Sequence, residues 1–149
     1  MKKLIKILIL SIFLTGFMGF AQKAAVYEPA KSIHKEYKAL YVINEGDDQK
    51  IRVIIRNINN AMEDPRLKGK LKVELLAFGG GVEMFRKKNP YRELLTGLQD
   101  KGVVMVQCEN TLREKKIDKS ELFEFINYTP SGNGEMILRQ YEGWAIVKP

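Results

Sequence analysis

Short apolar runs alternate with stretches of helical periodicity along most of this chain, and this alternation constrains the fold more than any other feature. The apolar runs are four to eight residues long and occupy positions 39–43, 71–78, 103–106, 125–129 and 144–147. Runs of that length are typical of strands that are covered on both faces. Strands joined by helices form βα crossovers and therefore a mostly parallel sheet. The sequence predicts an α/β domain, a three-layer α/β/α sandwich around a five-stranded, mostly parallel sheet.

The helical stretches between these runs carry recognisable ends. Asp47 is the predicted N-cap of the first helix, whose apolar residues recur with the helical period, and Pro65 ends it. A second helix is predicted over residues 91–101, with a glycine directly after it. For the third helix we expect either Asn110 or Thr111 as the N-cap.

The last predicted helix runs from Ser131 to Tyr141 and ends at Gly143. Tyr141 and Trp144 are large aromatic residues at the end of this segment. Such residues pack in a core more often than they form a ligand platform, so we expect both to be core residues.

The first 21 residues have the pattern of a secretory signal peptide. Three lysines precede an apolar run over residues 7–20, and a small-x-Ala sequence ends at Ala21. The run is shorter than the ~20 residues that a membrane span requires. We therefore expect cleavage near Ala21, no stable membrane anchor, and a periplasmic or extracellular mature protein.

The chain is thus predicted to have three parts. Residues 1–21 are the signal peptide, residues 22–37 are a weakly patterned N-terminal lead-in, and residues 38–149 form the α/β domain. No internal repeat or charge block divides that domain.

The charge of the chain is explained by its location. The formal net charge is +7, but after cleavage the chain keeps 22 basic and 18 acidic groups, a net charge of +4. A charge of this size is typical of a solvated surface rather than of a phosphate-binding face. We therefore expect no nucleic-acid partner.

Cysteine and histidine are too few for several kinds of site. Cys108 is the single cysteine of the chain and His34 is its single histidine. A disulfide within the chain is excluded, and a zinc site, which needs three or four nitrogen or sulfur ligands, is excluded as well. We expect neither a metal nor a cofactor.

In a parallel α/β sheet, ligands bind beyond the carboxyl ends of the strands, so the loops there are the candidate sites. The loop after the first run has one glycine, which argues against the Gly-rich turn of a dinucleotide-binding site. The loop after the second run contains Gly79, Gly80 and Gly81. Consecutive glycines are compatible with a turn too tight for side chains and also with amides that bind an anion or a thiolate. Both readings stay open.

Cys108 lies in the loop after the third run, directly before a predicted helix. Amide donors and the positive end of a helix dipole stabilise a thiolate, which predicts a reactive cysteine. The alternative is a buried, inert residue, since free cysteines are often buried. A cysteine hydrolase would need His34 as its base, and nothing else in the sequence supports that reading.

Four segments in this order resemble the DsrE/DsrF-like family, the small α/β proteins of bacterial sulfur relays. The resemblance covers about Lys38 to Pro149. It rests on Asn57-Ile58-Asn59-Asn60, Ala77-Phe78-Gly79-Gly80-Gly81-Val82, Cys108-Glu109-Asn110-Thr111-Leu112 and Arg139-Gln140-Tyr141-Glu142-Gly143-Trp144-Ala145-Ile146 with Lys148-Pro149.

The resemblance implies a homo-oligomer, a trimer or a hexamer, and a cysteine at the Cys108 position that carries sulfane sulfur as a persulfide. With Cys108 as the carrier, Gly79, Gly80, Gly81, Asn110 and Thr111 are the expected binding residues. Relay members are cytoplasmic, so an exported copy would have a different sulfur donor and acceptor. The alternative is a non-catalytic module of the same fold that binds a small anion or a partner protein.

Overall fold

The computed structural model of the protein describes residues 26–149, and the predicted signal peptide lies outside the described residues. The chain divides into two units, residues 1–30 and residues 31–149. In the first unit the described residues, 26–30, form no helix or strand. All further structural statements concern the second unit. Within residues 26–149, no helix has the length and apolar character needed to cross a membrane.

The second unit contains five strands, four α-helices and two 3₁₀ segments. The strands are β1 (Tyr37–Ile43), β2 (Leu71–Ala77), β3 (Val104–Cys108), β4 (Asn127–Thr129) and β5 (Ala145–Val147). The α-helices are α1 (Asp48–Glu63), α2 (Arg92–Gln99), α3 (Glu109–Lys115) and α4 (Gly132–Tyr141), and the 3₁₀ segments are Gly79–Phe85 and Lys119–Glu121.

The strands form one sheet in the order β4-β3-β2-β1-β5, and every adjacent pair is parallel. This confirms the predicted α/β fold with a five-stranded parallel sheet.

Helices cover the two faces of the sheet unequally. The first face packs against α1, α2 and α3 in the larger core cluster, which includes Ile51, Leu95 and Leu112. The second face has a smaller cluster of Leu40, Val42, Leu76 and Val106, covered by Met136 of α4, Phe78 and Trp144. The connection from β3 to α3 therefore lies on the first face, and the connection from β4 to α4 lies on the second.

Side-chain capping explains where two of the four α-helices begin. The Asp47 side chain accepts a hydrogen bond from the Lys50 N–H at 3.1 Å, which confirms it as the N-cap of α1. The Ser131 side chain accepts one from the Gly134 N–H at 3.2 Å, as expected for the N-cap of α4.

The predicted caps of α3 were wrong. This helix begins at Glu109, and Cys108 is its N-cap residue without a side-chain capping bond. Asn110 and Thr111 both lie inside the first turn. The Thr111 hydroxyl instead contacts the loop after β2, and the local sequence pattern did not reveal this contact.

Candidate functional site

The loops after β3 and β4 leave the carboxyl edge of the sheet toward opposite faces. These two strands are neighbours in the sheet. In open α/β sheets, a crevice for ligands forms where adjacent strands send their connections to opposite sides. Cys108, the last residue of β3, and Gly132, the first residue of α4, lie at this switch point.

Cys108 and Gly132 are in direct contact at this switch point. The Gly132 N–H donates a hydrogen bond to Cys108 Sγ, with an N to S distance of 3.2 Å. Gly132 is the first residue of a ten-residue helix, so the sulfur lies at the positive end of the α4 dipole. An amide donor and a helix N-terminus both stabilise a thiolate relative to a thiol.

The sequence correctly placed the cysteine at the carboxyl end of the third strand, but it did not reveal α4 as the helix that supplies the hydrogen-bond donor. Glycine at position 132 also explains how closely the start of α4 approaches Phe78. A Cβ atom at position 132 would lie 3.3 Å from side-chain atoms of Phe78, which is a tight contact. Glycine therefore allows the start of α4 to lie beside Phe78 while its amide points at Cys108.

Cys108 is nevertheless buried, with 5% of its surface exposed. Gln107 beside it is fully buried and donates from Nε2 to the Cys108 carbonyl oxygen at 2.9 Å. Its Oε1 atom has no hydrogen-bond partner among the described residues. The backbone at Cys108 is thus fixed by a side chain that the sequence analysis did not single out, because a glutamine within a strand gives no sign of burial.

Glu109, the residue directly after the cysteine, forms an ion pair with Lys119. Glu109 accepts a hydrogen bond from Lys119 Nζ at 2.5 Å, and this bond lowers the pKa of the Glu109 carboxyl. Glu109 is therefore an anion at neutral pH, neutralised by its partner. Arg113, also in α3, bonds to the Asn110 side chain rather than to the sulfur.

The amides of the three glycines after β2 are already bonded within the protein. The Gly79 N–H donates to Thr111 Oγ1 at 2.9 Å, the Gly80 N–H donates to the Asn44 carbonyl oxygen at 2.8 Å, and the Gly81 N–H donates to the Phe78 carbonyl oxygen at 2.9 Å. These bonds join the loop after β2 to β1 on one side and to α3 on the other.

Close backbone packing explains why this loop needs glycine. Gly79 has φ +53°, in the left-handed region that glycine adopts without strain. A Cβ atom on Gly81 would lie only 2.4 Å from the Ile43 carbonyl oxygen. The structure thus brings Gly79 and Thr111 together, and the amide of Gly79 is hydrogen-bonded to the hydroxyl of Thr111.

His34 does not meet Cys108. It is exposed, and its ring contacts Tyr37 edge-on at the amino end of β1. Cys108 lies at the carboxyl end of β3, so the two residues are at opposite ends of the parallel strands, and β1 with its seven residues is roughly 20 Å long. A Cys-His hydrolase gains no support from this geometry. No group of three His, Cys, Asp or Glu side chains in residues 26–149 has a metal-binding arrangement.

The prediction that Tyr141 is a core residue was wrong. It is 89% exposed at the last turn of α4, whereas Trp144 is partly buried and packs against the second face. Ile137 and Leu138 are exposed on the same helix, at 58% and 62%. The apolar pattern of α4 is therefore divided between the sheet and solvent, which periodicity alone does not show.

The fold and the position of Cys108 define a small α/β protein with one thiol at the switch point of a parallel sheet. The model of the DsrE/DsrF-like family matches residues 37–149, and the chain belongs to this family. It is similar to the solved structure of a protein of unknown function from Methanobacterium thermoautotrophicum, at 32% sequence identity and a TM-score of 0.72. That match covers 76% of this chain and 100% of the other. No curated protein matches the sequence.

Proposed function

We propose that this protein carries sulfane sulfur as a persulfide on Cys108. The observation that carries the proposal is the position of Sγ at the switch point of the sheet, 3.2 Å from the first amide nitrogen of α4. That amide is a hydrogen-bond donor to the sulfur, and the thiolate is the nucleophilic form of cysteine. Membership of the DsrE/DsrF-like family supports the same chemistry.

The proposed reaction is a thiol–persulfide exchange. The Cys108 thiolate attacks the outer sulfur of a donor persulfide, R–S–SH, and a new S–S bond forms while the S–S bond of the donor breaks. The donor leaves as the thiolate R–S⁻, and Cys108 holds the transferred sulfur as Cys–S–SH. An acceptor thiolate removes it by the same step. No external oxidant is needed, because the sulfane sulfur keeps its oxidation state.

A second candidate is a non-catalytic binding or assembly module. The observation that favours it is the burial of Cys108, which is 5% exposed. A sulfur with so little exposed surface is poorly accessible to a reagent in the folded chain. An inert Cys108 would make the family fold a scaffold for an anion or a partner protein.

Export forms part of the proposal. The basic and apolar N-terminal pattern ending at Ala21 supports cleavage there. The sulfur donor and acceptor would then be thiols or polysulfides outside the cytoplasm. Intact-mass analysis of protein from the native host should give a chain that begins at Gln22, and a chain that retains Met1 or Lys2 would contradict export.

Exposure of the chain to inorganic polysulfide tests the carrier function. We expect residues 22–149 to gain one sulfur atom per chain by intact mass, and we expect the gain to disappear on treatment with a reducing thiol. Cys108→Ser should gain none, with an unchanged circular dichroism spectrum. A thiol that resists alkylation until the chain unfolds, together with no sulfur uptake, would favour the binding module instead.

A further inference from the structure

A buried carboxylate lies in the middle of the second face of the sheet. Glu74 of β2 is 1% exposed and shares this face with Leu40 and Leu76, which alternate with the residues of the opposite core. Its Oε2 atom is 2.7 Å from Arg139 Nη2, and its Oε1 atom has no partner among the described residues. An apolar side chain there would often be as stable or more stable, so stability alone does not explain this ion pair.

Arg139 connects this carboxylate to α4 and to the segment before β5. Its Nε atom is 2.9 Å from Glu135 Oε1, its Nη1 atom is 2.9 Å from Glu142 Oε2, and its guanidinium lies over the Trp144 ring at 4.7 Å. The guanidinium thus faces three carboxylates and an aromatic ring, although its Nε atom makes no hydrogen bond among the described residues. A planar group with this many partners accepts only a narrow range of positions.

The contacts continue from Glu135 to the strand beside the thiol. Glu135 Oε2 accepts a hydrogen bond from Thr129 Oγ1 at 2.8 Å. Thr129 is the residue of β4 that pairs with Cys108 of β3, so the two lie side by side on the same face of the sheet. The chain of polar contacts therefore runs from β2 through α4 to the neighbour of Cys108.

The apolar contacts of α4 do not fix its position in the same way. Met136 is the residue of this helix that joins the apolar cluster of the second face, and methionine adapts to many packings. Ile137 and Leu138 are exposed. The first amide of α4 lies two turns before Arg139, so a small shift of the helix would move it off the sulfur.

We infer that the Arg139 cluster, formed by Arg139 with Glu74 and Glu135, positions Cys108 by holding the Gly132 amide on its sulfur. These are positioning residues, since none of them contacts Sγ. The inference rests on the proposed function for its purpose, because a sulfur carrier needs the hydrogen-bond donor to its cysteine sulfur in place. The contact that it predicts is measurable without sulfur transfer.

Amide hydrogen exchange at Gly132 tests the inference directly. In Arg139→Met, Gly132 exchange should be about tenfold faster than in the wild type, because exchange by local opening reports the free energy of that opening. The amides of Leu40 and Leu76 should exchange as before. Arg139→Lys should restore part of the protection. Arg52→Met is the matched control, since it removes a guanidinium that pairs with a carboxylate on α1, and it should leave Gly132 exchange unchanged.

Glu135→Gln provides a milder second variant should Arg139→Met fold poorly. It loses the ion pair with Arg139 and should speed Gly132 exchange in the same direction. Acceleration of the Leu40 and Leu76 amides by the same factor as Gly132 would overturn the inference, because the cluster would then support the whole fold equally. Unchanged Gly132 exchange in both variants would overturn it as well.

The polysulfide assay separates this inference from the proposed function. Selective loss of protection at Gly132 in a protein whose wild type takes up no sulfur would support the positioning role and contradict the carrier. Sulfur uptake by the wild type together with an unaffected Gly132 amide would support the carrier and contradict the positioning role.

Discussion

Replacing Gly81 with alanine should destabilise the protein through a backbone contact. The added Cβ would lie 2.4 Å from the Ile43 carbonyl oxygen, 3.0 Å from its carbonyl carbon and 3.1 Å from its Cγ2 atom. Two of these three atoms belong to the backbone of a central strand, which a rotamer change cannot move. Gly81 itself is buried, so the loop cannot move outward without losing its packing.

The size of the effect follows from the cost of overpacking. Inserted methyl groups in a well-packed site typically cost 1–3 kcal/mol, and a forced backbone shift places Gly81→Ala near the upper end, at about 3 kcal/mol. For a domain of this size, that loss corresponds to a fall in Tm of roughly 10 °C. Urea unfolding followed by circular dichroism measures the free energy of unfolding, and thermal unfolding measures Tm.

Gly97→Ala is the matched control, because it makes the same substitution in open space. Gly97 lies in α2, and a Cβ there would meet no heavy atom within 4 Å. Alanine in a helix interior is better than glycine by about 0.5–1 kcal/mol, so this variant should be more stable than the wild type. Equal stability of Gly81→Ala and the wild type would refute the close approach of the loop after β2 to β1.

Three further predictions concern single side chains. Thr111→Val removes the acceptor of the Gly79 amide in a buried loop contact and should cost about 1–3 kcal/mol in the free energy of unfolding, measured in urea; a loss below the error of that measurement would contradict the contact. Burial raises the pKa of the Glu74 carboxyl despite the ion pair with Arg139, so the folded chain keeps this proton to higher pH than the unfolded chain does. The stability contributed by the protonated Glu74 should therefore be lost as the pH rises above the ordinary carboxyl range. Glu74→Gln does not titrate, so its unfolding free energy should increase relative to that of the wild type over this pH interval. A difference between the two that does not change with pH would argue against the raised pKa. We also propose self-association through the exposed apolar face of α4, and Leu138→Glu should then shift sedimentation from a trimer or hexamer to the monomer; a wild-type monomer at high concentration would contradict self-association.

The strands and helices could be predicted from the sequence because their signals are local. The apolar runs mark β1 to β5 to within a few residues, and Asp47 and Ser131 mark the starts of α1 and α4. Each of these signals depends on side chains within one or two turns or within one strand. The tertiary packing of the domain favours the same strands and helices as these local signals do.

The candidate site was predicted only in part, because its contacts join segments far apart in the chain. Cys108 was placed correctly at the carboxyl end of β3. Its contact with Gly132 depends on β4 lying beside β3 and on α4 packing on the second face of the sheet. The periodicity of the sequence predicts neither the order of the strands nor the face that a helix covers. Thr111 matched a local capping pattern, yet its hydroxyl bonds to Gly79, 32 residues earlier.

The buried polar residues were missed for the same reason. Glu74 lies within an apolar run, where it gives no sequence sign of an ion pair with a residue of α4. Tyr141 shows the opposite case, since a large aromatic residue suggested core packing, and in the structure it is exposed at the end of α4.

The most direct test of the central claim is a load-and-discharge cycle on Cys108, followed by intact mass. Residues 22–149 are treated with inorganic polysulfide, freed of excess reagent, and then given a small acceptor thiol. The account predicts a chain heavier by one sulfur atom after loading, the original mass after discharge, and no change at either step for Cys108→Ser. A folded wild type that gains no sulfur, or a Cys108→Ser variant that gains as much as the wild type, would contradict it.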